Sequence, residues 1–170
     1  FAEYFSSDRP FRELGSSFES EERADVLVFN TVHSLRQADE MSRVLLVEFK
    51  RPGRKSYSND ENPVEQVEKY VRLLQSGGTL DVRGRPVKLD GSTVFNCLII
   101  ADIVGKLDDW TFSWERVAGT GSRRYIPPNG FTGSIELIDW DDLLRDANAR
   151  NKAFFERAGI SGRRFFSAEW

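Results

Sequence analysis

Cysteine and histidine each occur once in 170 residues, as Cys97 and His33. A single cysteine cannot form a disulfide within the chain, and such usage suits a reducing, cytoplasmic location. One cysteine and one histidine are too few for a zinc centre, which needs three or four such ligands. Six prolines and thirteen glycines do not make a collagen-like or proline-rich linker protein. The longest apolar run, residues 97–101, falls far short of the roughly 20 residues a membrane helix requires, so a membrane partner is not expected. No charged-then-apolar leader opens the chain. The G-x-x-x-x-G-K-[ST], G-x-G-x-x-G and G-x-S-x-G patterns are missing, and with them the usual flags of nucleotide binding and serine hydrolysis. Carboxylates, lysines and hard metal ions are left to carry chemistry.

What is present is ordinary for a folded domain: 39% hydrophobic and 30% charged residues, with length for one sizeable core. The 24 basic and 27 acidic residues give a net charge of −3. This argues against a nonspecific nucleic-acid coat, but the charges are unevenly spread. Lys50, Arg51, Arg54 and Lys55 fall within six positions, whereas Glu19, Glu21, Glu22 and Asp139, Asp141, Asp142 gather elsewhere.

Along the chain, apolar spacings of three and four in residues 1–14 predict a helix interrupted at Pro10. Residues 24–30 and 43–50 predict strands, with 31–42 as a polar connection holding His33, which we read as incidental. Arg51-Pro52-Gly53 stops the second strand. Asn62-Pro63 predicts a helix start, and Val67, Tyr70, Val71 and Leu74 form one apolar stripe ending at Gly77-Gly78. Residues 79–89 predict a hairpin around Arg83-Gly84-Arg85. Residues 94–101 predict a strand covered on both faces, with Cys97 as a buried filler. Residues 110–117 predict a strand with Trp110, Phe112 and Trp114 on one core-facing side. Residues 134–138 predict a last strand, followed by a helix capped at Asp139 or Asp141 and running to about 158. This order implies an α/β fold, a central mixed sheet flanked by helices. Residues 1–158 read as one domain, with its core at about 23–102, and 159–170 as a tail. Phe165, Phe166 and Trp170 of that tail suit docking on a partner or on the domain. The opening Phe1 reads as the edge of a piece from a longer multidomain protein.

The second strand carries the chemistry. Side chains alternate, so Glu48 and Lys50 share one face, roughly 6–7 Å apart. A charged pair ending an apolar strand is costly unless used or solvated. If residues 24–30 pair antiparallel with it, Asp25 converges on the same end. Two carboxylates and an ammonium suit phosphodiester hydrolysis: hard oxygens hold Mg²⁺, and a lysine positions or activates the attacking water. The plain alternatives are a surface ion pair for Glu48 and Lys50, a backbone-bonding strand start for Asp25, and a helix-surface glutamine for Gln66.

Arg23-Ala24-Asp25, then Glu48-Phe49-Lys50, then Gln66 with Tyr70 one turn later, resembles the PD-(D/E)XK nuclease superfamily. The likeness spans residues 1–102 by order of elements, with its motifs in 23–70. Ala24 stands where the family name has Pro, a residue widely lost there. The resemblance implies a restriction-endonuclease-like core and a metal-dependent nuclease, acting on DNA in preference to RNA and as an endonuclease rather than an exonuclease. It implies catalytic roles for Asp25, Glu48, Lys50 and Gln66. The expected cofactor is Mg²⁺, replaceable by Mn²⁺, on Asp25, Glu48 and the Phe49 carbonyl. Nucleic acid would meet Arg51, Arg54, Lys55 and Tyr70, and the track would extend to Arg83, Arg85 and Lys88. Glu13 on the first helix and Asp102 after its strand are outlying candidates. The Val47–Pro52 phrase, VEFKRP, looks like restriction-type branches, which suggests the effector of a restriction or phage-defence system. Two rival readings stand beside this one: a non-catalytic nucleic-acid-binding module on the same fold, and an interaction domain that meets a second copy or other domains of a larger protein.

Overall fold

The computed structural model describes residues 4–10, 12, 23–33, 40–77, 89, 91–128 and 130–158. Seven strands form one sheet in the order β1-β2-β3-β4-β7-β6-β5. β1 (Tyr4–Pro10), β2 (Arg23–His33) and β3 (Glu40–Phe49) run as an antiparallel meander. β4 (Val94–Ala101) and β7 (Thr132–Asp139) continue parallel to β3. β6 (Arg123–Tyr125) and the two-residue β5 (Glu115–Arg116) close the far edge antiparallel. The sheet is therefore mixed, and the fold is α/β.

Among the described residues, one helix lies over the centre of this sheet. α1 (Pro63–Gln75) is the crossover between the parallel strands β3 and β4, against which it packs. Its start matches its sequence: the Asn62 side chain accepts from Val64 N–H at 3.0 Å, Pro63 takes the first turn, and Glu65 sits at the positive end. Gly77, at φ 90, adopts the left-handed turn that follows the helix. The stripe of Val67, Tyr70, Val71 and Leu74 is buried against Val44, Leu46, Phe95, Cys97, Ile99, Ile135 and Leu137. Burial of each large side chain contributes roughly 1.5–3 kcal/mol. Cys97 lies inside this core, and burial pushes its thiol up to about 12. α3 (Trp140–Arg157) follows β7, capped by Asp139, whose Oδ1 accepts from Asp141 N–H at 2.9 Å. β7 approaches β4 so closely at Gly133 (φ 138) that a Cβ there would overlap the Phe95 backbone.

Three expectations are corrected. Residues 4–10 form an edge strand, not a helix: pairing with β2 overrides the local spacing of Tyr4 and Phe5, and Pro10 sits at the strand's end, where its missing N–H costs little. The polar connection is shorter than read, because β2 and β3 extend as a paired ladder out to His33 opposite Glu40. Residues 110–117 are not one strand. They hold the end of α2 (Lys106–Trp110), a turn and β5. Trp114 is buried and stacks on Tyr125, and Trp110 packs beside Tyr57, but Phe112 is 72% exposed. The buried Arg123 guanidinium holds this turn, donating to Asp108 O at 2.9 Å and to Thr111 Oγ1 at 2.8 Å and pairing with the Asp108 carboxylate. Glu13, the 79–89 hairpin (apart from Leu89) with Arg83, Arg85 and Lys88, and the 159–170 tail lie outside the described residues.

Candidate active site

The sheet register brings the motif residues together. The β2–β3 ladder pairs Val26 with Val47 and Leu27 with Leu46. One step further, Asp25 stands opposite Glu48, and directly opposed residues share a face. Asp25 Oδ2 accepts the Phe49 backbone N–H at 2.6 Å. Lys50 follows the last residue of β3, and its N–H donates to Ile100 O at 2.8 Å, in line with the parallel ladder to β4.

On the α1 side of the sheet, Lys50 Nζ donates to Glu48 Oε1 at 2.8 Å and to Gln66 Oε1 at 2.7 Å. Gln66 in turn donates through Nε2 to the Tyr70 hydroxyl, one helical turn on. The side chains of Lys50 and Glu48 are only 12% and 6% exposed, so the plain reading as a surface ion pair does not hold. Glu48 Oε2 is buried and finds no hydrogen-bond partner among the described residues. Burial pushes the Glu48 carboxyl above its usual range, the Lys50 ammonium pulls it back, and the neighbouring Asp25 charge adds to the upward push.

This donor set fits a hard divalent cation. Glu48 Oε2 is a desolvated carboxylate oxygen with unused lone pairs, and Asp25 supplies a second carboxylate beside it. Among the described residues no group of three or more histidine, cysteine, aspartate or glutamate side chains gathers as a metal cluster, so water and substrate oxygens would complete the shell.

The expected contact residues divide. Arg51 and Lys55 are exposed. Arg54 folds back, pairing with Glu61 at 2.6 Å and lying 4.4 Å over the Tyr57 ring; Arg54 and Ser58 hold the Glu61 carboxyl down to about 2. Tyr70 is 1% exposed, too deep to meet a nucleic acid from its ring face; its hydroxyl fixes Gln66 instead. Asp102 Oδ2 accepts Gly53 N–H at 2.5 Å and so ties down the turn that follows Lys50.

Residues that motif reading passed over also shape the site. An open groove of about 670 Å³ runs past Lys50 and Gln66 and is walled by Arg23, Lys69 and Arg72 together with Asp60, Glu61 and Glu65. The helical spacing of Gln66, Lys69 and Arg72 was the available signal. Trp140 reaches the site from 90 residues away and donates from Nε1 to Lys50 O at 2.9 Å; nothing in its local sequence marks it. No helix among the described residues is long and apolar enough to cross a membrane. Compared with models of protein families, with characterised proteins and with solved structures, the chain finds no match.

Proposed function

We propose that the chain is a divalent-metal-dependent nuclease domain with a restriction-endonuclease-like core, hydrolysing phosphodiester bonds in DNA. The observation that carries this reading is the buried Glu48 carboxylate beside Asp25, one oxygen on Lys50 and the other without a hydrogen-bond partner among the described residues. A buried acceptor of that kind costs about 1–3 kcal/mol if nothing meets it, and a binding site is where such a cost is recovered.

Asp25 and Glu48 would hold Mg²⁺ or Mn²⁺, with the Phe49 carbonyl as a further oxygen donor. Such an ion supplies charge neutralisation at the phosphate and a more acidic water. Lys50 stabilises the charge that builds on the phosphate oxygens as water adds to phosphorus and the ester oxygen leaves. Gln66 holds Lys50 through Oε1 while Tyr70 holds Gln66, so the ammonium arrives already oriented. Arg51 and Lys55 contact the phosphate backbone.

The test is incubation of the chain with supercoiled plasmid, linear duplex, single-stranded DNA and RNA, each with Mg²⁺ or Mn²⁺, beside Lys50→Ala and Asp25→Ala. Cleavage by the parent alone supports the reading and identifies the substrate. Equal cleavage by all three proteins overturns it. Silence of all three, with no metal uptake by calorimetry, makes the chain a binding module.

A further inference from the structure

We propose that Trp140 is a positioning residue for the candidate site, acting through the backbone of Lys50. The inference rests on the nuclease reading for its kinetic consequence, and on geometry alone for the contact itself.

Lys50 lies one residue beyond the end of β3, where one last bond to β4 is all that remains of the strand ladder. Three bonds hold it there. Phe49 N–H goes to Asp25 Oδ2, Lys50 N–H goes to Ile100 O, and Lys50 C=O receives the Trp140 indole N–H at 2.9 Å. The Phe49 and Trp140 rings also stack, with centroids 6.0 Å apart and planes 25° from parallel. Phe49 points to the opposite face from Glu48, so Trp140 grips the strand end from behind while Glu48 and Gln66 hold the Lys50 ammonium in front.

Trp140 is itself fixed. It is the first residue of α3, next to Asp139, whose two carboxylate oxygens accept from Asp141 N–H (2.9 Å) and from Ile103 N–H (3.2 Å). The indole is thus anchored to the end of β7 and to the segment after β4. It is a strut from the third parallel strand to the first, and the carbonyl it holds belongs to the residue whose ammonium faces the substrate. Loss of the N–H would let the Lys50 peptide rotate, and a catalytic group displaced by about 1 Å loses up to about 100-fold in rate.

The experiment compares Trp140→Phe, which keeps a ring against Phe49 and deletes the donor, with Trp140→Ala, which deletes both. Two readouts are taken on the purified chain: plasmid cleavage kinetics with Mn²⁺, and amide hydrogen exchange across β3. For Trp140→Phe the expected result is a fall in kcat of about tenfold or more, KM unchanged, and faster exchange at Lys50 with Leu46 and Val47 unaffected. Trp140→Ala shows the same pattern, larger. Unchanged exchange at Lys50, or unchanged kcat in a parent that cleaves, overturns the proposal. Exchange that quickens across the whole strand in Trp140→Phe also overturns it, since the residue is then a general packing contact. If the parent neither cleaves nor takes up metal, the nuclease reading has failed, and the exchange readout alone decides whether Trp140 holds Lys50.

Discussion

Asp25 and Phe49 are joined by a 2.6 Å hydrogen bond from the Phe49 backbone N–H to Asp25 Oδ2. The carboxylate that motif reading assigns to metal binding therefore also sews the start of β2 to the end of β3. Its structural and chemical duties can be separated by substitution. Asp25→Asn keeps an acceptor oxygen and removes the charge, whereas Asp25→Ala removes both. Asp25→Asn is expected to unfold in urea near the parent's midpoint while losing cleavage and metal uptake. Asp25→Ala loses the same functions and a further 1–3 kcal/mol or so of stability, the cost of a strand-end N–H left without its partner. Equal stability of the two variants would show that the bond contributes nothing.

The protonation of Glu48 has a stability consequence whose sign is fixed. Burial raises its folded-state pKa above the ordinary 4.5, so above pH 4.5 the folded chain binds more protons than the unfolded one. The contribution of this group is fully present in acid and drains away as pH rises through the folded value. Glu48→Gln lacks that titration. In thermal melts from about pH 4 to about pH 8, the Tm difference between Glu48→Gln and parent should move in the variant's favour as pH rises. Mg²⁺ at a hundredfold its dissociation constant should stabilise the parent by about 2.7 kcal/mol and leave Glu48→Gln unmoved. A difference flat in pH would contradict the assignment.

Tyr70→Phe deletes one oxygen from a side chain that otherwise stays in the core. The loss is the acceptor of the Gln66 amide, worth about 1 kcal/mol. Cleavage should fall, and Tyr70→Phe should cost nothing further in a Gln66→Ala background, because Tyr70 reaches Lys50 only through Gln66. Rates for the two singles and the double form a mutant cycle; additive losses would mean that the residues act separately.

Exposed and folded-back cations should behave differently towards DNA. Arg51→Ala and Lys55→Ala should each weaken binding and reduce the salt-dependence slope by about 1, at unchanged stability. Arg54→Ala removes the Glu61 pair and the contact over Tyr57. Its main effect should be on the 54–61 loop, read as faster proteolysis there. Fluorescence anisotropy over a salt series distinguishes the three.

The elements legible in the sequence were those whose local signals agree with their tertiary setting. Asn62-Pro63, the stripe from Val67 to Leu74 and Gly77 mark α1 at both ends, and its observed span follows them. The continuous apolar run of β4 was equally plain, and of the two cap candidates, Asp139 and Asp141, it is Asp139 that caps α3. The failures come where a distant partner decides. Residues 4–10 carry helix-like spacing but are claimed by β2. Trp110, Phe112 and Trp114 alternate like a strand, yet Arg123 and Thr111 fold them around a turn. The site divides in the same way. Glu48 and Lys50 announce themselves by lying on one face of one strand, and Gln66 and Tyr70 by one helical turn. Asp102, an outlying candidate in the sequence, bonds Gly53 N–H; Trp140 meets the Lys50 carbonyl, and a backbone acceptor leaves no trace in the side chain of the residue that carries it.

The position of β4 between β3 and β7 also dictates the order of assembly. The β1–β3 meander is local in sequence and can zip as soon as it is made. β4 must wait for α1 to close behind it, and it then remains an outermost strand, its ladder unpaired on one side, until residues 132–139 arrive. Such long-range parallel pairing is slow, and an uncovered apolar strand invites pairing with another chain. A nascent chain halted soon after Ala101 therefore exposes the most adhesive strand of the protein, and β7 matters as much for keeping that strand from foreign partners as for completing the sheet.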